Sequence, residues 1–135
     1  MRTKYLDTPY AIFEMHDGIL HLYYKRGLLI NLEMAREIVS ARLEFSNNES
    51  FPMLIVDLGI VGVEKAARDW FSSEEGTCRI TACALVLDTV YSRVLGNFFI
   101  KITRPRIPVK VFNQKAKGVE WLHHFISEKP ETHLL

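Results

Sequence analysis

The chain has 135 residues, of which 48% are hydrophobic, 11% aromatic and 24% charged. These proportions are typical of one folded domain with its own core, which needs no disulfide or structural metal. The formal net charge of +1 excludes a broad positive field for nucleic acid or for an anionic membrane. With a polar start and no apolar run of about 18 residues, neither a signal peptide nor stable membrane insertion is expected, and the expected compartment is the cytoplasm.

The first two predicted strands form a hairpin. They comprise residues 10–16 and 19–25, and Asp17-Gly18 between them is typical of a two-residue turn. Alternate positions of both strands are hydrophobic and predict one buried face. These positions are Phe13, Met15, Leu20, Leu22 and Tyr24.

The other face of the hairpin carries ionisable side chains and is expected to be exposed. The two-residue turn places His16 opposite Ile19 and Glu14 opposite His21. Zinc could bind where Glu14, His16 and His21 converge. An exposed Glu–His pair is, however, ordinary surface electrostatics, and we predict no metal site.

Helices and strands alternate through the next part of the chain. Asn31 is predicted to cap an amphipathic helix. The continuous hydrophobic runs at residues 52–58 and 80–87 predict strands covered on both faces, which are typically central and parallel. Between these strands we expect a helix over residues 64–75, ended by Gly76.

The last predicted elements are a helix at residues 90–102, an edge strand at residues 109–112 and a final helix capped by Asn113. The order of elements predicts a single α/β domain at residues 10–126. Its sheet is expected to be mixed, mostly parallel and five-stranded, with an N-terminal hairpin and four helices. We interpret residues 1–9 as an N-terminal segment and residues 127–135 as a flexible tail.

Two cysteines, Cys78 and Cys83, are too few for a zinc site of two cysteine pairs, and their spacing does not match a Cys-x-x-Cys motif. We expect two reduced thiols, with Cys83 in the core; a regulatory thiol at Cys78 is the alternative. No nucleotide-binding glycine loop, zinc-protease motif or nucleophile elbow is present. The sequence therefore predicts a protein that is not an enzyme and needs no cofactor.

The run Ile-Val-Asp-Leu-Gly-Ile-Val occupies residues 55–61, at the end of the predicted central strand. In this order of elements it resembles the central strand and following turn of the STAS domains, the anti-sigma-factor antagonist superfamily. The chain is similar still more closely to a small bacterial STAS/SEC14-like branch of uncharacterised function. That similarity is carried by residues 74–77, 80–82 and 96–99.

The resemblance implies a regulatory module that works by binding other proteins. In regulatory STAS proteins an Asp-Ser pair stands at the start of the next helix, where a kinase partner phosphorylates the serine. The corresponding residues 63–67 are Val-Glu-Lys-Ala-Ala, without a hydroxyl, so we do not expect this switch. The partner-binding role remains expected at this helix start, with Glu64, Lys65 and Arg68. The SEC14-like comparison implies the alternative, a small carrier or sensor of an apolar ligand.

Glu74 and Glu75 are expected near the C-terminal end of their helix, where they oppose its macrodipole at a cost of a few tenths of a kcal/mol each. Neutralisation by Arg68 or Arg79, or a capping box of Ser72 with Glu75 that begins a new turn, would offset this cost. The functional alternative places both glutamates in a pocket or partner surface near the ends of the parallel strands.

The helix at residues 90–102 is the most informative about partners. Gly96 costs a helix up to about 1 kcal/mol relative to alanine, so we expect another backbone to approach it closely. Together with Arg93, Asn97 and Ile100, Gly96 indicates either a homodimer contact or an apolar pocket under the helix; packing within the domain is the alternative. The main apolar arc, which excludes Ile100, is expected to face inward. This arc comprises Tyr91, Val94, Leu95, Phe98, Phe99 and Ile102.

The only local run of positive charge comprises Lys101, Arg104, Arg106 and Lys110. Because no aromatic side chains for base stacking alternate with these charges, the run favours a solvated rim or an acidic protein partner over nucleic acid.

Overall fold

Residues 4–126 are described in the computed structural model of the chain, and the predicted flexible tail, residues 127–135, lies outside them. The strands are β1 (Lys4–Asp7), β2 (Ala11–His16), β3 (Ile19–Tyr24), β4 (Leu29–Ile30), β5 (Phe51–Asp57), β6 (Gly62–Val63), β7 (Ile80–Val86) and β8 (Val109–Phe112). The helices are α1 (Leu32–Phe45), α2 (Lys65–Phe71), α3 (Glu74–Thr77), α4 (Val90–Thr103) and α5 (Lys115–Leu122), followed by a 3-10 helix (His123–Phe125).

The main sheet has six strands in the order β1-β2-β3-β5-β7-β8. The first three strands pair antiparallel, and β3, β5, β7 and β8 pair parallel. Strands β4 and β6 form a separate parallel pair. The predicted mixed α/β domain, its central strands β5 and β7 and its edge strand β8 are confirmed.

The predicted counts of five strands and four helices were wrong. Strand β1 lies in the N-terminal segment, where the four residues of Lys4–Asp7 are mostly exposed and lack the alternation that marks a strand. It pairs with β2 and forms the other edge of the sheet. The additional helix arises from a break in the helix predicted after β5.

The hairpin of β2 and β3 has the predicted turn. Asp17 and Gly18 have φ angles of 50° and 79°, as a type I′ turn requires. The predicted register is also confirmed, with Glu14 opposite His21. The expectation that this face is exposed was wrong, because Ile19 and His21 are only 1% and 3% exposed. Strand β3 is an interior strand, and α5 and the 3-10 helix cover the face that carries Ile19.

Helices cover both faces of the sheet. The face that packs against α1, called the α1 face below, holds the larger core, to which the sheet contributes Phe13, Leu22 and Met53. The opposite face, called the α5 face, holds a smaller core that includes Leu54. Successive residues of β5 thus enter different cores, as the continuous hydrophobic run predicts.

The single helix predicted over residues 64–75 is in fact two helices, α2 and α3. The chain leaves α2 after Phe71, and the Ser73 hydroxyl caps α3 by accepting the N–H of Gly76 at 3.2 Å. Gly76 lies inside α3 and does not end the longer helix. A Cβ at Gly76 would lie 2.1 Å from the carbonyl oxygen of Trp70, so glycine allows α3 to turn back against α2.

Glu74 and Glu75 therefore lie in a different electrostatic setting from the predicted one. Both are exposed in the first turn of α3, where the helix macrodipole favours carboxylates. The predicted cost of opposing the macrodipole was wrong. A new turn does begin here, as one alternative proposed, but Ser73 rather than Ser72 provides the cap.

The predicted cap of α1 is confirmed, because Asn31 Oδ1 accepts the N–H of Met34 at 2.8 Å. The predicted cap of the last helix was wrong by one residue. Helix α5 begins after Gln114, whose side chain makes no cap hydrogen bond, rather than after Asn113.

Candidate functional site

A cavity of about 250 Å³ lies on the α1 face, between the sheet and helices α1 to α4. Interior strands of the sheet form its floor through Leu22, Tyr24, Met53, Ile55, Cys83 and Leu85. The helical side chains in its wall include Ile38, Val39 and Arg42 of α1, Arg68 and Phe71 of α2, and Gly96, Phe99, Ile100 and Thr103 of α4. The lining is predominantly apolar, as in most small-molecule sites.

Helix α4 forms the outer wall of this cavity, and of the predicted inward arc only Phe99 lines it. Four large side chains of the predicted inward arc are between 54% and 75% exposed and form what we call the outer stripe: Tyr91, Val94, Phe98 and Ile102. The inward orientation of these four was a wrong prediction. Both sides of α4 are apolar, and the side with the small glycine is the one that approaches the sheet.

Gly96 occupies a close contact within the domain. A Cβ at this position would lie 2.9 Å from Leu87 Cδ1 and 3.3 Å from Val111 Cγ2. The nearest neighbours of Gly96 are therefore side chains, one just after β7 and one within β8. The predicted close approach of another backbone was wrong. Ile100, one turn further along α4, lines the cavity.

Two arginines provide the charged groups of the cavity wall. Arg42 is 2% exposed, and its Nη2 donates to the carbonyl oxygen of Gly76 at 3.4 Å. Burial lowers the pKa of Arg42. Arg68 is half-buried, and its Nη1 donates to the carbonyl oxygen of Val63 at 2.7 Å. Its guanidinium also lies 4.2 Å from the centre of the Phe99 ring, a cation–π contact.

The sequence analysis did not identify Arg42. A signal was present, since Arg42 follows Ile38 by four residues and Val39 by three, in the buried stripe of an amphipathic helix. An arginine at a core position of a helix is rarely buried without a functional or structural reason.

Two further groups in the cavity floor are held in their neutral forms. Burial raises the pKa of Cys83 to about 12 and raises the pKa of Tyr24 above its ordinary value. Cys83 is 5% exposed, which confirms its predicted core position, whereas Cys78 is half-buried and both thiols are free.

A surface cleft of about 480 Å³ adjoins the cavity. Ser72 and Thr103 line both spaces. The cleft also contains Arg104 and Arg106, two residues of the predicted basic run, and Asp69.

The other predicted site residues lie outside the cavity. Glu64, at the N-cap position of α2, is exposed, as are Lys65 and Asn97. Lys65 Nζ forms an ion pair with Asp69 Oδ2 at 2.7 Å. Arg93 Nη1 donates to the carbonyl oxygen of Leu87 at 2.8 Å and so anchors the first turn of α4. Of the predicted residues, the cavity brings together Arg68, Gly96 and Ile100.

The ionisable groups of the hairpin lie on the α5 face. His16 Nε2 lies 2.9 Å from Glu14 Oε1, and the His16 and His21 rings are 4.8 Å apart. Burial, with smaller effects of Lys115 and His16, lowers the pKa of His21 from 6.5 to about 4, so this ring is neutral at neutral pH. Within residues 4–126, no three His, Cys, Asp or Glu side chains form a group that could hold a metal ion.

Within the same residues, no helix is long and apolar enough to cross a membrane.

Comparison with known families identifies the chain. The model of a domain of unknown function, DUF7793, matches residues 13–126. The chain belongs to this family. No curated protein matches the sequence of this DUF7793 member.

The fold has a counterpart among solved structures. An uncharacterised protein of the DUF3478 family from Shewanella loihica PV-4, described as having a SpoIIAA-like fold, superposes with a TM-score of 0.60 at 12% identity. The match covers 90% of this chain and 96% of that chain. This similarity confirms the predicted STAS-like fold, and at such low identity it shows the fold alone.

A protein with unknown function from Arthrobacter sp. FB24 is 27% identical, over 81% of this chain and 95% of that chain, with a TM-score of 0.31.

Proposed function

We propose that this STAS-like protein is a carrier or sensor that binds an apolar small molecule in the cavity under α4 and catalyses no reaction. The observation that carries the proposal is the cavity itself, an apolar space of about 250 Å³ between α4 and the sheet. Protein interiors contain few voids larger than a water molecule. An apolar cavity of about 150 Å³ already accommodates benzene, so the space under α4 is large enough for a small hydrophobic ligand.

Helix α4 is suited to admit such a ligand. None of its 14 residues is fully buried, so moving it away from the sheet breaks fewer buried contacts than moving α1 would. The adjoining cleft shares Ser72 and Thr103 with the cavity, and we propose it as the entry from solvent.

Binding of the neutral fluorophore N-phenyl-1-naphthylamine tests the proposal, because its emission rises in an apolar environment. We expect saturable binding to the wild type. Ile100→Trp should abolish binding by filling the cavity, whereas Val94→Trp, the matched control on the outer stripe, should retain it. Absence of saturable binding to the folded wild type, or loss of binding only in Val94→Trp, would contradict the proposal.

Protein association through the outer stripe is a second candidate function, favoured by the exposure of four large hydrophobic side chains on one side of α4. The stripe runs along the helix at positions 91, 94, 98 and 102, so two copies of α4 can pack against each other about a twofold axis. We propose a second copy of the chain as the occupant. A homodimer was also the partner predicted from the sequence, although there through Gly96 and Ile100.

Light scattering over a series of protein concentrations tests this second candidate. Phe98→Glu should convert a dimer into monomers that retain the native circular dichroism, and Asn97→Glu, on the neighbouring exposed position, should leave the dimer intact. A wild type that is monomeric at every concentration would rule out the second copy as occupant.

Neither candidate uses a phosphorylation switch. Glu64 and Lys65 begin α2, and the two alanines that follow offer no hydroxyl. We therefore propose that occupancy of the cavity or of the outer stripe regulates the protein, rather than phosphorylation at this helix start. A phosphate located by mass spectrometry on Ser72 or Ser73, which follow α2, would contradict regulation by occupancy alone.

A further inference from the structure

The cavity is apolar except at a few points, and the most deeply buried charged group in its wall is Arg42. Its guanidinium carries five N–H donors. Its hydrogen bond to the Gly76 carbonyl is long, at 3.4 Å, and the Cys78 side chain is its other close polar neighbour. Among residues 4–126, no carboxylate lies within the 4.0 Å of Arg42 that defines an ion pair.

A guanidinium in this setting favours an anion. Removing a charge from water costs several kcal/mol unless an opposite charge and hydrogen bonds offset the loss. Burial lowers the pKa of Arg42, because the apolar surroundings disfavour its charged form. Arg42 lines the cavity, and its contacts with Gly76 and Cys78 occupy only part of its five donors, so a carboxylate in the cavity can accept two of the remaining N–H groups at once.

The adjoining cleft has the charge that would attract the same anion. Arg104 and Arg106 line the cleft, and the single carboxylate there, Asp69, is already paired with Lys65 at 2.7 Å. The route to the cavity is therefore basic on balance, which favours the approach of anionic molecules.

We propose that the occupant of the cavity is an apolar molecule that carries one carboxylate. The carboxylate pairs with Arg42, and the apolar part lies against Ile38, Leu22 and Ile100. This inference rests on the proposed ligand-binding function and adds the chemical class of the ligand.

A single negative charge matches the site better than a dianion. Among residues 4–126, Arg42 is the one fully buried cation in the wall, since Arg68 is half-buried and already engaged with the Val63 carbonyl and the Phe99 ring. A phosphate dianion would leave one charge unmatched in apolar surroundings.

Displacement of N-phenyl-1-naphthylamine by decanoate and by decanol tests the inference, since the two molecules share a chain length and differ in the head group. In the wild type at neutral pH, decanoate should displace the fluorophore at a concentration about tenfold lower than decanol, as expected for a charge-assisted pair. Equal potency of the two molecules would overturn the carboxylate proposal and leave the apolar cavity site intact. Failure of the fluorophore itself to bind would overturn both.

Substitutions in α1 test whether Arg42 causes the preference for decanoate over decanol. Arg42→Met should remove the preference for decanoate while leaving decanol within about twofold of wild type, because the substitution keeps an unbranched apolar stem and removes the charged guanidinium. Arg36→Met, on the exposed side of the same helix, is the matched control and should keep the preference. If Arg42→Met does not fold, Arg42→Lys decides, with an intermediate preference expected. A full preference retained without Arg42 would overturn its assignment.

Discussion

Helices α1 and α4 have the same length, 14 residues, and pack on the same face of the sheet, yet they relate to the core in opposite ways. Helix α1 has five charged residues and buries five positions, including Phe45, whereas α4 has two charged residues and buries none. The more hydrophobic helix is thus the less buried one. A surplus of apolar residues that the domain does not bury points to a surface that receives something else.

The largest expected difference between α1 and α4 is in how much each contributes to stability. Phe45→Ala in α1 should lower the free energy of unfolding by about 3–5 kcal/mol, because Phe45 is 5% exposed and packs against Phe13 with ring centres 5.8 Å apart. Phe98→Ala in α4 should cost less than about 1 kcal/mol, because more than half of this side chain is exposed. Urea unfolding at low protein concentration measures both.

Equal costs for the two substitutions would show that the outer stripe is covered in solution. In that case the cost of Phe98→Ala should fall as the protein is diluted, since dilution dissociates a dimer. A large cost that does not change with concentration would mean that α4 packs differently from the structure described above.

The same comparison shows why the sequence predicted one helix better than the other. In α1 the Asn31 cap and the charged residues leave a single apolar stripe, so both the helix and its buried side follow from the pattern. In α4 the limits of the helix were predictable, but apolar residues surround most of its circumference and leave its orientation undetermined. Gly96 was the informative residue, since it marked the side that approaches the sheet.

The cavity was predictable only as an alternative, a pocket under the helix at residues 90–102. Of its two charged residues Arg68 was a predicted site residue, whereas Arg42 was missed because it follows from the periodicity of α1 only if a charge is accepted at a core position. The break between α2 and α3 was predicted only as an alternative, with Ser72 in place of Ser73 as the cap, because Gly76 was interpreted as the end of one helix. The cavity and its wall depend on contacts between elements that are distant in the sequence, which local patterns do not contain.

A smaller effect separates the two sides of α4. Gly96→Leu should lower the free energy of unfolding by about 1–3 kcal/mol, because the added side chain would overlap Leu87 and Val111. Asn97→Leu, at the next and exposed position, is the matched control and should change stability by less than about 0.5 kcal/mol. Thermal unfolding followed by circular dichroism is sufficient. If both variants were tolerated equally, α4 would not be held against β8 through Gly96.

The smallest expected effect is a pH dependence of stability. It arises from His21 on the α5 face, which neither α1 nor α4 covers. The unfolded chain protonates His21 near pH 6.5 and the folded protein only near pH 4, so the stability contributed by the neutral ring is complete above pH 6.5 and is lost as the pH falls towards 4. Between about pH 7.5 and about pH 5 the loss should be about 1–2 kcal/mol.

Urea unfolding at the two pH values measures this loss. His21→Phe should reduce the pH dependence, because it removes the titrating ring, and His124→Phe, on the exposed 3-10 helix, should leave the dependence unchanged. An identical pH dependence in His21→Phe and wild type would show that other groups cause the acid instability.

The low burial of α4 also has a consequence for the kinetics of ligand binding. A helix with no fully buried residue is expected to open locally at a lower free energy than global unfolding requires. If the proposed ligand occupies the cavity, we expect its residence time to depend on how often α4 opens. Substitutions that bind α4 more firmly to β8 would slow capture and release together while leaving the equilibrium affinity nearly unchanged.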